Sequence, residues 1–133
     1  MSKRSGFSMV ELIIACIIIG ILISVALPNY TRSVERSKCS QARHILKTMH
    51  NAALTYFAEN EDFQFGDKAA LATEVGANFD DNNDWTFTAT PGAETFTVTA
   101  TRQGGPWGAG ATITLDELDQ WGGSYPIDDP GGW

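Results

Sequence analysis

Cysteine is scarce in this chain of 133 residues: there are two, Cys16 and Cys39. Two thiols exclude a disulfide framework and a four-cysteine zinc site. A helix running from one to the other would hold them about 34 Å apart, far beyond the reach of an S–S bond, so no internal disulfide is expected. Positive charge is scarce as well. Nine basic against sixteen acidic side chains leave a net charge of −7; that average field repels polyanions, and nucleic acid is not an expected partner. Catalytic patterns are missing: there is no nucleophile elbow, no glycine-rich phosphate loop ending in lysine, and no paired carboxylate at a recognisable site. His44 and His50 stand six positions apart, about 120° away from sharing a helical face, so they read as surface or packing residues rather than metal ligands. Cys39 has no nearby histidine to activate it, since His44 is five residues off on another face, and it reads as packing. The chain reads as a non-enzyme with room for about one domain.

What is present is unevenly distributed. Residues 1–6, MSKRSG, bring Lys3 and Arg4, and then residues 7–27, FSMVELIIACIIIGILISVAL, form an apolar run with one charge, Glu11. As a helix, that run spans roughly 31 Å, about the thickness of a bilayer core. Lys3 and Arg4 before it place the N-terminus in the cytoplasm and the rest of the chain outside it. Beyond Pro28, apolar residues recur at Ala42, Ile45, Leu46, Met49, Ala52, Ala53, Tyr56 and Phe57, steps of three and four that mark one face of a helix. Arg32, Arg36, Lys38, Arg43 and Lys47 occupy other positions, with Glu35 as the one acid between residues 31 and 50. One nearly continuous helix from residue 7 to about residue 58 is the simplest reading, and Asn60, Glu61 and Asp62 close it.

From Phe63 onward the chain is turn-rich and acidic: residues 51–133 hold two basic and fourteen acidic side chains. Residues 66–76 read as a short helix. Residues 85–90 and 94–101 alternate threonine with Trp85, Phe87, Phe96 and Val98, and Pro91-Gly92 between them predicts a hairpin. A third strand is expected over 111–115 and a fourth around 120–125. A small antiparallel sheet packed on the second half of the helix would bury both apolar faces, giving an α+β fold. Trp85 and Trp121 are expected to fill the space between helix and sheet, whereas Trp107 and Trp133 are candidates for subunit contacts or a ligand surface.

Glu11 carries the functional reading, because a carboxylate within the bilayer costs roughly 2.5 kcal/mol or more and needs a partner. Gly6-Phe7-Ser8-Met9-Val10-Glu11-Leu12 resembles the signature of type IV pilins and type II secretion pseudopilins. Ser8 and Met9 depart mildly from the family's commonest Thr and Leu. The resemblance implies that a prepilin peptidase cuts between Gly6 and Phe7 and methylates the new amine of Phe7. It implies that Glu11 neutralises the N-terminal amine of a neighbouring subunit, and that Gly20 and Pro28 stand where family helices loosen inside the filament. By that resemblance the chain divides into a leader (1–6), a transmembrane and polymerisation segment (7–28), an amphipathic helix (29–62) and an acidic β-rich domain (63–133).

The same resemblance implies a homopolymer, an inner-membrane assembly platform as partner, and lipid around residues 7–27 before assembly. It implies a single-pass bacterial inner-membrane protein that becomes an extracellular pilus or a periplasmic pseudopilus. Family pilins often pin their C-terminal region with a disulfide, which this chain cannot form, and pseudopilins often use calcium. Asp80, Asp81 and Asp84, Asp116 with Glu117 and Asp119, and Asp128-Asp129 offer hard oxygen ligands of the right kind. Their spacing matches no EF-hand loop, and a solvated acidic surface is the competing reading. No other cofactor is expected. The pilus is the favoured reading, the pseudopilin the alternative. A membrane-anchored or secreted binding module that never polymerises is the third, and Ser24-Val25-Ala26 has the small-x-small form of a leader peptidase site.

Overall fold

The structure is a computed structural model, and it describes residues 5–105 and 108–126. The chain divides into two compact units, one ending at Val34 and the other beginning at Glu35. Helix α1 (Met9–Asn60) contributes residues to both.

In the N-terminal unit the helix is lined by Leu, Ile and Val, and none of these side chains is buried by the described residues of that unit. Large apolar side chains along residues 7–27 are at least half exposed, from 51% at Ile14 to 87% at Phe7. The helix is long and apolar enough to cross a membrane. Pro28 lies inside it and cannot donate to the carbonyl one turn back. Side chains bond the backbone around it: Asn29 Nδ2 donates to the Val25 carbonyl at 3.3 Å and Thr31 Oγ1 to the Pro28 carbonyl at 2.9 Å.

In the second unit the three-and-four spacing does what its periodicity dictates. Cys39, Ala42, Leu46, Met49, Ala52 and Ala53 are buried along one stripe of α1, and the alanines let a sheet approach closely. After the helix comes α2 (Lys68–Val75), started by Asp67, whose carboxylate accepts from the Ala69 and Ala70 amides at 3.0 Å each. Gly76 ends it in the left-handed conformation at φ 62°.

Strands β1 (Trp85–Pro91), β2 (Phe96–Arg102), β3 (Thr112–Asp116) and β4 (Trp121–Gly123) form a four-stranded antiparallel meander in chain order. Alternation puts Trp85, Phe87, Phe96, Val98, Ala100, Ile113 and Leu115 into the core against the helix stripe, joined by Phe63, Phe65, Leu71, Phe79 and Tyr125. Gly123 has φ 108°, and a Cβ there would stand 2.1 Å from the Thr112 carbonyl oxygen, so the β3–β4 pairing requires glycine at that position. The outer edge of β1 is partly closed by the loop before it: Asn82 Oδ1 accepts from the Trp85 amide at 2.8 Å and Asp81 Oδ1 from the Phe87 amide at 2.8 Å. The expected elements are all present, so the fold is α+β and pilin-like.

Candidate functional site

Two sites carry polar chemistry, one in each unit. At the start of α1, Glu11 and Ser8 form a reciprocal cap: the Ser8 amide donates to Glu11 Oε2 at 2.9 Å and the Glu11 amide to Ser8 Oγ at 3.2 Å. This Ser-x-x-Glu arrangement satisfies two amide donors that a helix start otherwise leaves open. In a single subunit Glu11 therefore bonds its own backbone but meets no cation among the described residues. Gly6 and Phe7 precede the helix and are exposed. Apart from its chain neighbours and the helix's own backbone, no described atom lies within 4 Å of where a Cβ on Gly20 would be, so no described residue of the subunit demands glycine there. Lys3 and Arg4, on which the membrane orientation rests, lie outside the described residues.

The second site is buried. Glu35, 3% exposed, receives Arg102 Nε on Oε1 at 2.8 Å, Arg102 Nη2 on Oε2 at 3.1 Å, and the Tyr125 hydroxyl on Oε1 at 2.7 Å. The fork of the guanidinium thus meets the carboxylate with two parallel bonds, the strongest geometry such a pair can take. Arg102 Nη1 goes to the Asp84 carbonyl at 2.8 Å and to Asp84 Oδ1 at 3.1 Å, and Lys38 Nζ reaches the same Oδ1 at 2.8 Å. The guanidinium also lies over Trp85, its centre 5.4 Å from the ring centroid. Burial pushes the Glu35 carboxyl up, but the bonds from Arg102 and Tyr125 and the charges of Arg102 and Lys38 outweigh it and hold the group below the ordinary glutamate range. For Tyr125, burial and the bond to Glu35 act together and push the phenol up.

Sequence reasoning missed this network. Its signal was nonetheless present: Glu35 falls four positions before Cys39 and seven before Ala42, on the apolar stripe, and Arg102 continues the inward register of Phe96, Val98 and Ala100. A charge on the inward face of each of two elements, of opposite sign, marks a buried pair. Ser8-x-x-Glu11 was also legible as a capping box.

The carboxylates considered for calcium are dispersed. Asp81 pairs with Lys68, Asp84 with Lys38 and Arg102, and Asp119 with Lys47. Asp116 Oδ1 accepts the Leu118 and Gln120 amides at 3.0 and 2.8 Å, closing its own turn. Asp80 is exposed. Among the described residues no group of three or more His, Cys, Asp or Glu side chains could hold a metal ion. Asp128 and Asp129 lie outside them, as do Trp107 and Trp133. Lys68 holds the Asp81 carboxyl below its ordinary range, helped by the Phe87 amide, and Lys38 does the same for Asp84.

His44 is exposed, while His50 is buried against Phe96 with ring centroids 5.4 Å apart and neither ring nitrogen hydrogen-bonded to a described residue. Cys39 lies in the core and Cys16 is exposed, and neither takes part in a disulfide. Trp85 is fully buried, and Trp121 is half-buried under Arg43, whose guanidinium centre sits 4.9 Å from the ring centroid.

Comparison with known proteins agrees with both units. Residues 1–27 match the prokaryotic N-terminal methylation motif. Residues 28–110 match the family described as type IV minor pilin ComP, DNA uptake sequence receptor. A relative named type IV major pilin protein PilA, from Myxococcus xanthus, is 35% identical over 58% of this chain and 36% of its own length. Fimbrial protein EcpC from Eikenella corrodens is 32% identical over 57% of this chain and 50% of its own length. The aligned stretch thus spans half or less of each of these relatives. No solved structure matches. With an apolar, methylation-type N-terminal helix followed by a ComP-type domain built on a small antiparallel sheet, the chain belongs to the type IV pilin family.

Proposed function

We propose that the chain is a structural subunit of a type IV pilus-like filament. A prepilin peptidase removes residues 1–6 by cutting after Gly6 and methylates the amine of Phe7. The subunit waits in the bacterial inner membrane with its N-terminus cytoplasmic and residues 7–27 in lipid. An inner-membrane platform then moves it into a polymer of copies of itself, where the apolar helices leave lipid and pack on one another. The observation that carries this reading is the exposed apolar run over residues 7–27 with one acid near its start, Glu11, which has no cationic partner among the described residues of its own subunit.

The amine of a neighbouring Phe7 supplies that partner. Two opposite charges about 4 Å apart in a medium much less polar than water attract strongly, and only the correct axial stagger brings them together. Glu11 thereby sets the register of the filament. Gly20, which its own subunit leaves uncrowded, and Pro28 supply weak points where the helix adjusts to its neighbours.

The names of the relatives favour a pilus over a secretion pseudopilus. The DNA-receptor role in the family description is not carried over. The two basic residues of 51–133, Lys68 and Arg102, are both held by carboxylates, which leaves that half of the chain poorly equipped to neutralise phosphates. Calcium is not proposed either, because lysines already occupy Asp81, Asp84 and Asp119.

Mass spectrometry of the chain purified from membranes tests the reading. It is expected to begin at Phe7 carrying one methyl group; a mature chain beginning at Leu27, or one retaining Met1, would overturn it.

A further inference from the structure

Beyond the apolar run, α1 carries Arg32, Arg36, Lys38, Arg43 and Lys47. Four of them are engaged within the subunit. Lys38 pairs with Asp84 and Lys47 with Asp119. The Arg43 guanidinium lies over Trp121, and Arg36 is engaged as well. Arg32 differs: it is exposed and has no hydrogen bond, ion pair or ring contact with any described residue. A guanidinium keeps its proton in proteins, so Arg32 is a permanent charge without a described counter-charge.

Its depth follows from the residues before it. Arg32 comes five residues after Leu27, the last of the apolar run, a rise of about 7.5 Å. A bilayer adds a headgroup layer of about 5–7.5 Å on each side of its hydrocarbon core, so a helix that spans the core through Leu27 carries Arg32 at the level of the phosphates. Helical side chains lean toward the helix N-terminus, which turns Arg32 back toward the membrane. The polar side chains just below do not call for water. Ser24 Oγ donates to the Ile21 carbonyl at 2.7 Å, and Asn29 and Thr31 bond carbonyls of their own helix in the same way. Tyr30, 67% exposed, lines a groove with Ile23, Ala26 and Leu27 and is placed as an interfacial aromatic anchor.

On the face of Arg32 stand Pro28, Val25 and Ile21, which are four, seven and eleven residues earlier. Val25 is 64% exposed and Ile21 60%. An apolar stripe running down from a cation matches the form of a phospholipid, with an acyl chain along the stripe and the phosphate on the guanidinium, whose fork binds phosphate with two parallel bonds. We propose that Arg32 and this stripe form a binding site for an anionic phospholipid of the phosphatidylglycerol class, in the leaflet nearer the folded domain. Charge selects the headgroup: in a zwitterionic lipid the phosphate is offset by the headgroup's own cation, and in phosphatidylglycerol it is not. The inference rests on the membrane reading of residues 7–27 and does not require polymerisation. It adds a lipid-specific tie that a subunit breaks when it leaves the bilayer.

Native mass spectrometry tests the site, because each bound lipid is counted by its mass. The full-length chain is released from detergent micelles holding equal amounts of phosphatidylglycerol and phosphatidylcholine. Lys3→Gln and Arg4→Gln are present throughout, so that charge at the other end of the run does not compete. The expected result is a preference for phosphatidylglycerol that Arg32→Gln lowers about fivefold, the scale of one arginine at an anionic surface. Arg32→Lys should keep the preference, and so should Ala93→Glu, which changes the net charge by the same amount in the exposed β1–β2 turn. The proposal is overturned if Arg32→Gln binds phosphatidylglycerol as its parent does, if Ala93→Glu lowers binding equally, or if glycerol phosphate, the headgroup without its acyl chains, binds as well as the lipid. Flotation of the same chain with vesicles reports on the membrane reading separately: a chain that floats yet shows no preference removes this inference alone.

Discussion

The hydroxyl of Tyr125 donates to Glu35 Oε1 at 2.7 Å, joining two residues 90 positions apart inside the core. Through that bond the segment after β4 is fastened to the helix, in a chain with no cysteine beyond Cys39 to do the same by a disulfide. Arg102 completes the clamp by bringing the end of β2 to the same carboxylate. Where the fold needs a tie, burial and charge complementarity provide one that reductant cannot cut.

Removing the parts of this clamp should have unequal effects. Tyr125→Phe keeps the ring against Trp85 and deletes one bond to a charged acceptor, so it should cost about 1.5–3 kcal/mol of stability. Glu35→Ala strands the Arg102 guanidinium in the core and should cost more, about 3–5 kcal/mol. Denaturant titration of the full-length chain in detergent compares the two, and reductant should leave the wild-type midpoint unchanged because neither cysteine is in a disulfide.

The clamp also sets an acid limit. Glu35 and Asp84 titrate below their ordinary values in the folded chain. A group lowered in this way contributes stability that is fully present above its unfolded value, about 4, and is lost as pH falls through the folded value. Melting midpoints should therefore be flat from neutral pH down to about 5 and fall below about 4, and Glu35→Gln should flatten part of that fall while lowering stability at neutral pH.

Calcium should have little to bind in the described domain. Asp81, Asp84 and Asp119 each already hold a lysine, and no three carboxylates converge among the described residues. Adding calcium, with magnesium as control, should leave the melting midpoint in place; a calcium-specific rise would contradict this.

How much of the fold and of the two sites is legible in the sequence depends on whether the signal is local. Threonine alternating with Trp85, Phe87, Phe96 and Val98 marks strands by itself, and the spacing of Ala42, Leu46, Met49 and Ala53 marks a helical stripe. Gly6-Phe7 with Glu11 is a local motif too, and it lies within the residues 1–27 that match the prokaryotic N-terminal methylation motif. Glu35 is hidden because it stands among arginines and lysines and reads as one more charge of a solvated face, although its position is that of the stripe. Its partners lie 67 and 90 residues away, and only the closed sheet brings them within reach. The dispersal of the acids among lysines is invisible for the same reason: Lys47 and Asp119 are 72 positions apart.

The central claim is that the charge of Glu11, and not merely its cap on the helix, sets filament register. Glu11→Gln separates the two, since glutamine can still reach back to the Ser8 amide as a capping-box residue but carries no charge for a neighbouring amine. Filament yield from cells expressing Glu11→Gln, measured by electron microscopy and normalised to the processed subunit in the membrane, is the most direct measurement. The account predicts normal processing and membrane insertion with filaments absent or sparse; filaments of wild-type yield and order would contradict it.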